Sequence, residues 1–371
     1  MKYYLIAGEA SGDIHGANLM KEILLNDAKA EFRFWGGDKM KTIGGEQVEH
    51  YKNTAYMGFL EVIKNLQTIL SFIKTCKADI IDWNPDILIL IDYPGFNMRI
   101  AKFAKKKGFK IVYYISPQVW AWKEKRVEKI KMYVDKMLVI LPFEKSFYEG
   151  KWNYQVDFVG HPLLDEIEFN NEYKLQLNNN EKQIIAILPG SREQEINKIL
   201  PEFLKITKYF PDYHFVIAGI PHLGNEYYEK FTTDKNIEIV FGKTYHLLNQ
   251  SYAALVASGT ATLESALFNT PMIVGYKGSW ISYQIGKRLV RNIKYISLVN
   301  LIMDKEIVKE LIQEDLNEVN LKKELTDLLR LSTQYTIRQN FTSLKSKLGN
   351  IGASKKSAKI INDLISTNPG Q

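Results

Sequence analysis

Four short stretches bring together the residue types that bind anions and move protons. The first is Gly8-Glu9-Ala10-Ser11-Gly12-Asp13, which follows the apolar run Tyr3–Ala7 and continues through Ile14-His15-Gly16. A strand, a glycine turn and a helix start make a ligand-holding corner, because the first N–H groups of a helix lack partners within it. The glycines at 8, 12 and 16 stand four apart. They do not form the G-x-G-x-x-G dinucleotide pattern, but they let backbone pack closely or a bulky ligand approach. Glu9 and Asp13 add two carboxylates to that turn. The second stretch is Ile87-Leu88-Ile89-Leu90-Ile91-Asp92-Tyr93-Pro94-Gly95, a buried-strand pattern ending in a carboxylate. A carboxylate at the carboxyl end of a parallel strand can take a proton from a hydroxyl nucleophile. It can also simply cap the next helix.

The other two lie in the second half. Leu188-Pro189-Gly190-Ser191-Arg192 ends a strand at a glycine turn, with an arginine where a helix begins. Gly190 and Ser191 N–H groups, the helix dipole and the Arg192 guanidinium together suit a pyrophosphate. Ala257-Ser258-Gly259-Thr260-Ala261-Thr262-Leu263-Glu264 repeats the device. Here Thr260 is expected to cap the helix. Glu264, one turn on and on the same face, is expected to accept the two hydroxyls of a ribose. Two anion-binding turns and an acidic helix residue in one half point to a nucleotide-sugar donor site. His161, just after the strand pattern at 156–159, reads either as a phosphate or sugar contact or as a structural histidine between the halves. Trp120 and Trp122 can hold a sugar face or an acyl chain, or fill core.

These residues need a scaffold that carries them at strand ends. Apolar, β-branched runs alternate with helical patterns through most of the chain, which predicts parallel sheets covered by helices on both faces. Strands are expected at 3–7, 32–35, 87–92, 110–115, 137–141 and 156–159, then at 184–188, 214–218, 237–241, 254–257, 272–276 and 296–298. The polar stretch 170–182 reads as a linker. The class is therefore α/β with two Rossmann-like doubly wound domains facing a cleft, at 1–168 and 169–345. A carboxyl-terminal helix at 346–371 is expected to pack back on the first domain. Beyond about residue 304 the pattern is helical and strand-poor.

Composition narrows the class further. The chain has 371 residues, 46% of them apolar, and a net charge of +7. Lysines cluster at 102–110 and 123–131, which can meet anionic lipid or a phosphorylated substrate. No nucleic-acid motif accompanies them, so no nucleic-acid partner is expected. Cys76 is the only cysteine, so no intrachain disulfide forms and a reducing compartment fits. Met1-Lys2 leads straight into a strand pattern, so no signal peptide is expected, and no apolar run suffices to span a bilayer. No Walker turn and no His/Cys metal cluster stands out. A metal-independent glycosyl transfer with no cofactor follows, in which helix N-termini and arginine stabilise the leaving diphosphate.

The combination Gly8-Glu9-Ala10-Ser11-Gly12-Asp13, Ser116-Pro117-Gln118-Val119-Trp120-Ala121-Trp122, Leu188-Pro189-Gly190-Ser191-Arg192, Ala257–Glu264 and Ser297-Leu298-Val299-Asn300-Leu301 resembles the lipid-A-disaccharide synthase family. Order and spacing match from residue 1 to about 315. The resemblance implies a metal-independent, inverting glycosyltransferase of GT-B architecture. Its substrates would be UDP-2,3-diacylglucosamine and 2,3-diacylglucosamine 1-phosphate, joined in a β-1,6 linkage with release of UDP. It implies that Asp92 and Arg192 are essential, that Glu264 meets the UDP ribose, that Asn300 lies near the reacting centre and that Gln313 lies near the donor. Asp92 is then the expected base, with Asp13 the alternative. UDP falls to Gly190, Ser191, Arg192, Ser258, Gly259, Thr260, Glu264 and Gln313, and the acceptor side to Gly8, Glu9, Ser11, Gly12 and His161.

Three departures stand out. Val299 replaces the family's usual proline, Gly95 stands where many members carry a second aspartate, and some members have leucine at the position of His15. Apolar residues at 57–73 cover more than a surface helix needs. With the basic runs they are expected to meet an anionic membrane surface, or else to pack against the sheet. The expected location is cytoplasmic, peripheral on the inner face of the inner membrane, and a homodimer is a candidate assembly. A UDP-N-acetylglucosamine 2-epimerase-like enzyme of the same fold is the alternative.

Overall fold

A computed structural model describes residues 1–54, 66–121, 123–168, 182–234, 236–278 and 294–366. The linker expected at 170–182 falls almost wholly outside the described residues, as do Trp122 and most of the apolar segment at 57–73. The chain forms two compact units, Met1–Glu166 with Leu348–Gln371, and Ile167–Lys347.

The first unit holds seven strands: β1 Lys2–Ala7, β2 Glu31–Gly36, β3 Glu46–His50, β4 Ile87–Ile91, β5 Lys110–Tyr114, β6 Lys136–Val139 and β7 Asp157–Phe158. All pair in parallel, in the order β3-β2-β1-β4-β5-β6-β7. Alternate side chains of β1 and β4 feed two buried clusters. Tyr4, Ile6, Leu88 and Leu90 point to one face, and Tyr3, Leu5, Ile87, Ile89 and Ile91 to the other. Burial on both faces explains why these strands read as unbroken apolar runs. The second unit holds β8 Gln183–Leu188, β9 Tyr213–Gly219, β10 Ile237–Phe241, β11 Ser251–Ala257, β12 Met272–Tyr276 and β13 Lys309–Ile312, in the parallel order β10-β9-β8-β11-β12-β13.

In both parallel sheets the strand order reverses once, between β1 and β4 and between β8 and β11. A parallel α/β sheet leaves a crevice at such a switch point, beyond the carboxyl ends of its strands. The register Ala7↔Ile91 brings Gly8 and Asp92 out of neighbouring strands, and Leu188↔Val256 does the same for the turns at 189–192 and 258–260.

The chain end returns to the first unit. The helix Ala353–Ser366 packs on Ala10–Asn26, burying Ala358, Ile361 and Ile365 in the first unit's core. Its N-terminus is held by Asp165, whose carboxylate accepts from the N–H groups of Gly352 (2.6 Å), Ala353 (3.2 Å) and Ser354 (2.9 Å).

Three expectations need correction. Residues 296–298 are not a strand: the Ser297 side chain accepts from the Asn300 N–H and starts the short helix Leu298–Met303. The region beyond 304 contains β13, which reads as helical because Lys309-Glu310 precedes Leu311-Ile312. β3 was missed because, at the sheet edge, it keeps polar residues and buries no side chain fully.

Candidate active site

At the first switch point β1 runs into Gly8 and β4 into Asp92. Asp92 and Tyr93 are both left-handed, with φ of 45° and 47°. Side chains over-determine that strained turn. The Asp92 carbonyl accepts from the Tyr113 hydroxyl at 2.6 Å and from the Asn97 side chain at 2.8 Å, and its N–H donates to the Tyr114 carbonyl at 3.1 Å. The Tyr93 ring stacks on Phe96, at 5.5 Å between centroids. The backbone is thus fixed, and the carboxyl group meets the Tyr93 N–H. Burial pushes the Asp92 carboxyl up to about 7, and the negative charge of Glu9 adds to the rise. A carboxylate poised near neutral pH suits a general base.

Asp13 has a different occupation. It is buried, 3% exposed. Its carboxylate accepts from the N–H groups of Gly37 (2.7 Å), Lys39 (3.0 Å) and Met40 (3.1 Å), at the start of the helix Asp38–Ile43. Those bonds commit both oxygens to the fold, so Asp13 holds the start of that helix. Gly12 is buried under the first turn and Ser11 is exposed on it.

His161 is corrected as an acceptor contact. It is 4% exposed, its N–H donates to the Leu348 carbonyl at 3.1 Å, and its Nδ1 accepts from the Leu163 N–H at 3.3 Å. Burial holds its pKa down to about 3, with neighbouring His15 adding to the fall, so it is a neutral structural residue where the chain re-enters the first unit. Trp120 packs edge-on against Phe143, at 4.8 Å and 85°.

In the second unit, β8 leads into a turn at Gly190, whose φ of +124° strains any other residue. Arg192 is the N-cap of the helix Glu193–Leu204. Its guanidinium meets Glu195 at 3.2 Å, and the same carboxylate accepts from the Ser191 N–H at 3.0 Å. After β11, the helix Thr260–Leu267 is capped by Gly259, not by Thr260, and no side chain closes its end. The Thr262 hydroxyl donates to the Gly259 carbonyl at 2.8 Å. The Ser258 hydroxyl donates to the Ile296 carbonyl at 3.3 Å. Glu264 is partly exposed, and one of its oxygens accepts from the Tyr245 hydroxyl at 3.0 Å. A carboxylate oriented in this way can accept sugar hydroxyls.

Asn300 is completely buried and its amide is fully engaged. Nδ2 donates to the Val308 carbonyl and to Glu310, each at 2.8 Å, and Oδ1 accepts from the Ile307 and Val308 N–H groups at 2.7 and 3.1 Å. In the structure the Asn300 amide acts as a clasp between the helix Leu298–Met303 and the start of β13. Glu310 completes it, accepting from the N–H groups of Ile296 and Ser297 and from the Ser297 hydroxyl. Gln313 follows β13 with φ of 56°. Its Nε2 is buried and has no hydrogen-bond partner among the described residues. An orphaned amide donor of this kind calls for a ligand or a water.

Four residues of these corners escaped sequence reasoning: Tyr93, Tyr245, Glu310 and Glu195. Only Glu195 had a local signal, an acidic third residue after a glycine-serine-arginine turn. Among the described residues no group of three or more His, Cys, Asp or Glu side chains is arranged to hold a metal ion, and no helix is long and apolar enough to cross a membrane.

Comparison with known proteins bears on the whole chain. A protein-family model described as lipid-A-disaccharide synthetase matches residues 3–363. The lipid-A-disaccharide synthase of Trichlorobacter lovleyi is 36% identical over 375 residues, covering 97% of each chain. That of Coxiella burnetii (strain CbuK_Q154) is 35% identical over 376 residues, covering 97% of this chain and 98% of the relative. Among solved structures, the co-structure of S. aureus MnaA with UDP superposes with a TM-score of 0.71 at 15% identity, over 100% of this chain and 98% of that one. UDP-GlcNAc 2-epimerase from Neisseria meningitidis, bound to UDP-GlcNAc, gives 0.67 at 14% identity, over 99% and 100%. At such identities the likeness is one of fold: two Rossmann-like units, the GT-B architecture.

Proposed function

Since the chain belongs to the lipid-A-disaccharide synthase family, we propose that it joins UDP-2,3-diacylglucosamine to 2,3-diacylglucosamine 1-phosphate with inversion, releasing UDP. The observation that carries the mechanism is the Asp92 carboxyl, held at the carboxyl end of β4 on a fixed backbone and pushed up to about 7. Ionised Asp92 accepts the proton of the acceptor 6-hydroxyl. The oxygen attacks the anomeric carbon of the donor from the face opposite UDP, and the bond from that carbon to the diphosphate oxygen breaks. One displacement with one base inverts the centre.

The donor is proposed to lie on the second unit. Its diphosphate meets the Gly190–Arg192 turn and the 258–260 turn, its ribose meets Glu264, and the Gln313 amide donates to it. Arg192 and the helix N-termini stabilise the leaving charge, so the reaction needs no metal and no cofactor. The acceptor is proposed to lie on the side of Gly8, Glu9, Ser11 and Gly12, next to Asp92. The basic runs at 102–110 and 123–131, with the 57–73 segment, would hold the protein to the anionic inner face of the inner membrane. A homodimer and a cytoplasmic setting belong to the same proposal.

The test is incubation with both substrates and mass analysis of the product. A disaccharide 1-phosphate and free UDP are expected. A UDP-sugar of unchanged mass but altered proton NMR couplings would indicate epimerisation instead. Asp92→Asn should remove most turnover while UDP affinity, measured by calorimetry, stays within about twofold. A comparable loss of UDP affinity would sink the role of Asp92.

A further inference from the structure

The turn that opens the second unit's first long helix already carries an anion, supplied by the chain itself. Glu195 is the third residue of Glu193–Leu204. One of its oxygens accepts from the Ser191 N–H at 3.0 Å and the other meets Nη1 of Arg192 at 3.2 Å. Gly190 leaves the space this needs: a Cβ there would lie 2.6 Å from Oε2 of Glu195 and 2.7 Å from its Cβ. The carboxylate thus takes the donors that a diphosphate would use. Both partners remain partly open to water, with side-chain exposures of 50% for Arg192 and 34% for Glu195. An ion pair so placed is weak, and a more highly charged anion can exchange for it.

We propose that Glu195 is a resident anion on the diphosphate-binding turn, holding Ser191 and Arg192 in receiving geometry until a nucleoside diphosphate displaces it. This rests on the reading above that the donor diphosphate binds at residues 190–192. Glu195 then acts through Arg192 and the turn, as a positioning residue. It lets the site form before the donor arrives, and it competes with bound UDP, which favours release of product.

A cap that merely starts the helix would behave otherwise. Removing it would lower stability and leave UDP affinity unchanged or weaker. Glu195→Gln keeps the side chain's length and removes its charge, so the resident anion predicts tighter UDP binding, by about 3- to 10-fold. The experiment is calorimetric titration of UDP, and separately of inorganic pyrophosphate, into wild type, Glu195→Gln, Glu195→Ala, Arg192→Ala and the double variant Arg192→Ala/Glu195→Gln. Both single Glu195 variants should bind both probes more tightly, Arg192→Ala should bind both more weakly, and the gain from Glu195→Gln should shrink in the Arg192→Ala background. The Ala variant keeps the test open if Gln disturbs the turn. Unchanged or weaker UDP binding in both Glu195 variants, with Arg192→Ala still weakening it, overturns the resident anion and leaves the donor site standing. Unchanged UDP affinity in Arg192→Ala overturns the placement of the diphosphate itself.

Discussion

Gly8 and Tyr93 share one volume: a Cβ on Gly8 would lie 2.2 Å from Cγ of Tyr93. The glycine at the end of β1 is thus required by the aromatic ring after β4. That ring belongs to the second of two successive left-handed residues, Asp92 and Tyr93, each costing on the order of 1–2 kcal/mol in backbone strain. Its seat over Gly8 and its stack on Phe96 hold the turn that presents Asp92. Gly8→Ala should push Tyr93 off and shift Asp92. A displacement of that size at a proton acceptor costs about 100-fold in turnover. UDP affinity and helical content should stay near wild type, and wild-type turnover in Gly8→Ala would contradict the coupling.

The pH profile should report Asp92. The base must be ionised, so kcat/KM should rise through about pH 7 and level off above it. Burial is the larger cause of the raised value and Glu9 the second. Glu9→Gln removes the repelling charge, so the rising limb should move to lower pH. A limb that stays in place or moves up would remove Glu9 from the account.

The same shift fixes the sign of a stability effect. Asp92 has a raised pKa in the folded state, so its stabilising protonation is complete below about pH 4 and is lost as pH rises through about 7. Asp92→Asn should therefore be more stable than wild type at pH 8, by on the order of 1–2 kcal/mol after allowing for its partial exposure. The two proteins should converge near pH 4. Denaturant midpoints at the two pH values measure this.

Asp13→Ala strands three N–H groups, those of Gly37, Lys39 and Met40. The expected loss of stability is about 3 kcal/mol, with Asp13→Asn losing less because its amide oxygen still accepts. Activity per folded molecule of Asp13→Asn should remain within about tenfold of wild type, where loss of a general base would cost about 100-fold or more.

His15 and His161 are buried neutral, with burial holding their pKa values down to about 4 and about 3. Their contribution is present above the ordinary histidine value near 6.5 and drains away as pH falls towards 4. Asp92 and buried Glu144, both pushed up to about 7, act in the opposite direction over the same range. The measurable quantity is therefore the difference between wild type and His15→Leu. Between pH 6.5 and 4 the variant should lose less stability than wild type, by up to about 3 kcal/mol. Parallel curves would show that His15 ionises freely in the folded chain.

The sequence by itself determined the architecture and the corners. Unbroken runs such as Ile87–Ile91 are apolar because both faces of a parallel strand are covered, and glycine at 8 and 190 marks where chain must turn tightly at a strand end. Such signals are local, carried by residue type and spacing. Tertiary structure decided what each polar group is free to do. Asp13 and Asp92 look alike in sequence as carboxylates beside glycine turns. Asp13 is spent on N–H groups 24 to 27 residues away, while Asp92 stands half-buried beside Glu9 with its pKa raised. Asn300 is used up by backbone at 307–308 and by Glu310, and Glu264 is oriented by Tyr245 from a separate helix. A carboxylate's proton affinity and an amide's spare capacity depend on burial and on partners brought close by folding, and neither can be read from sequence neighbours.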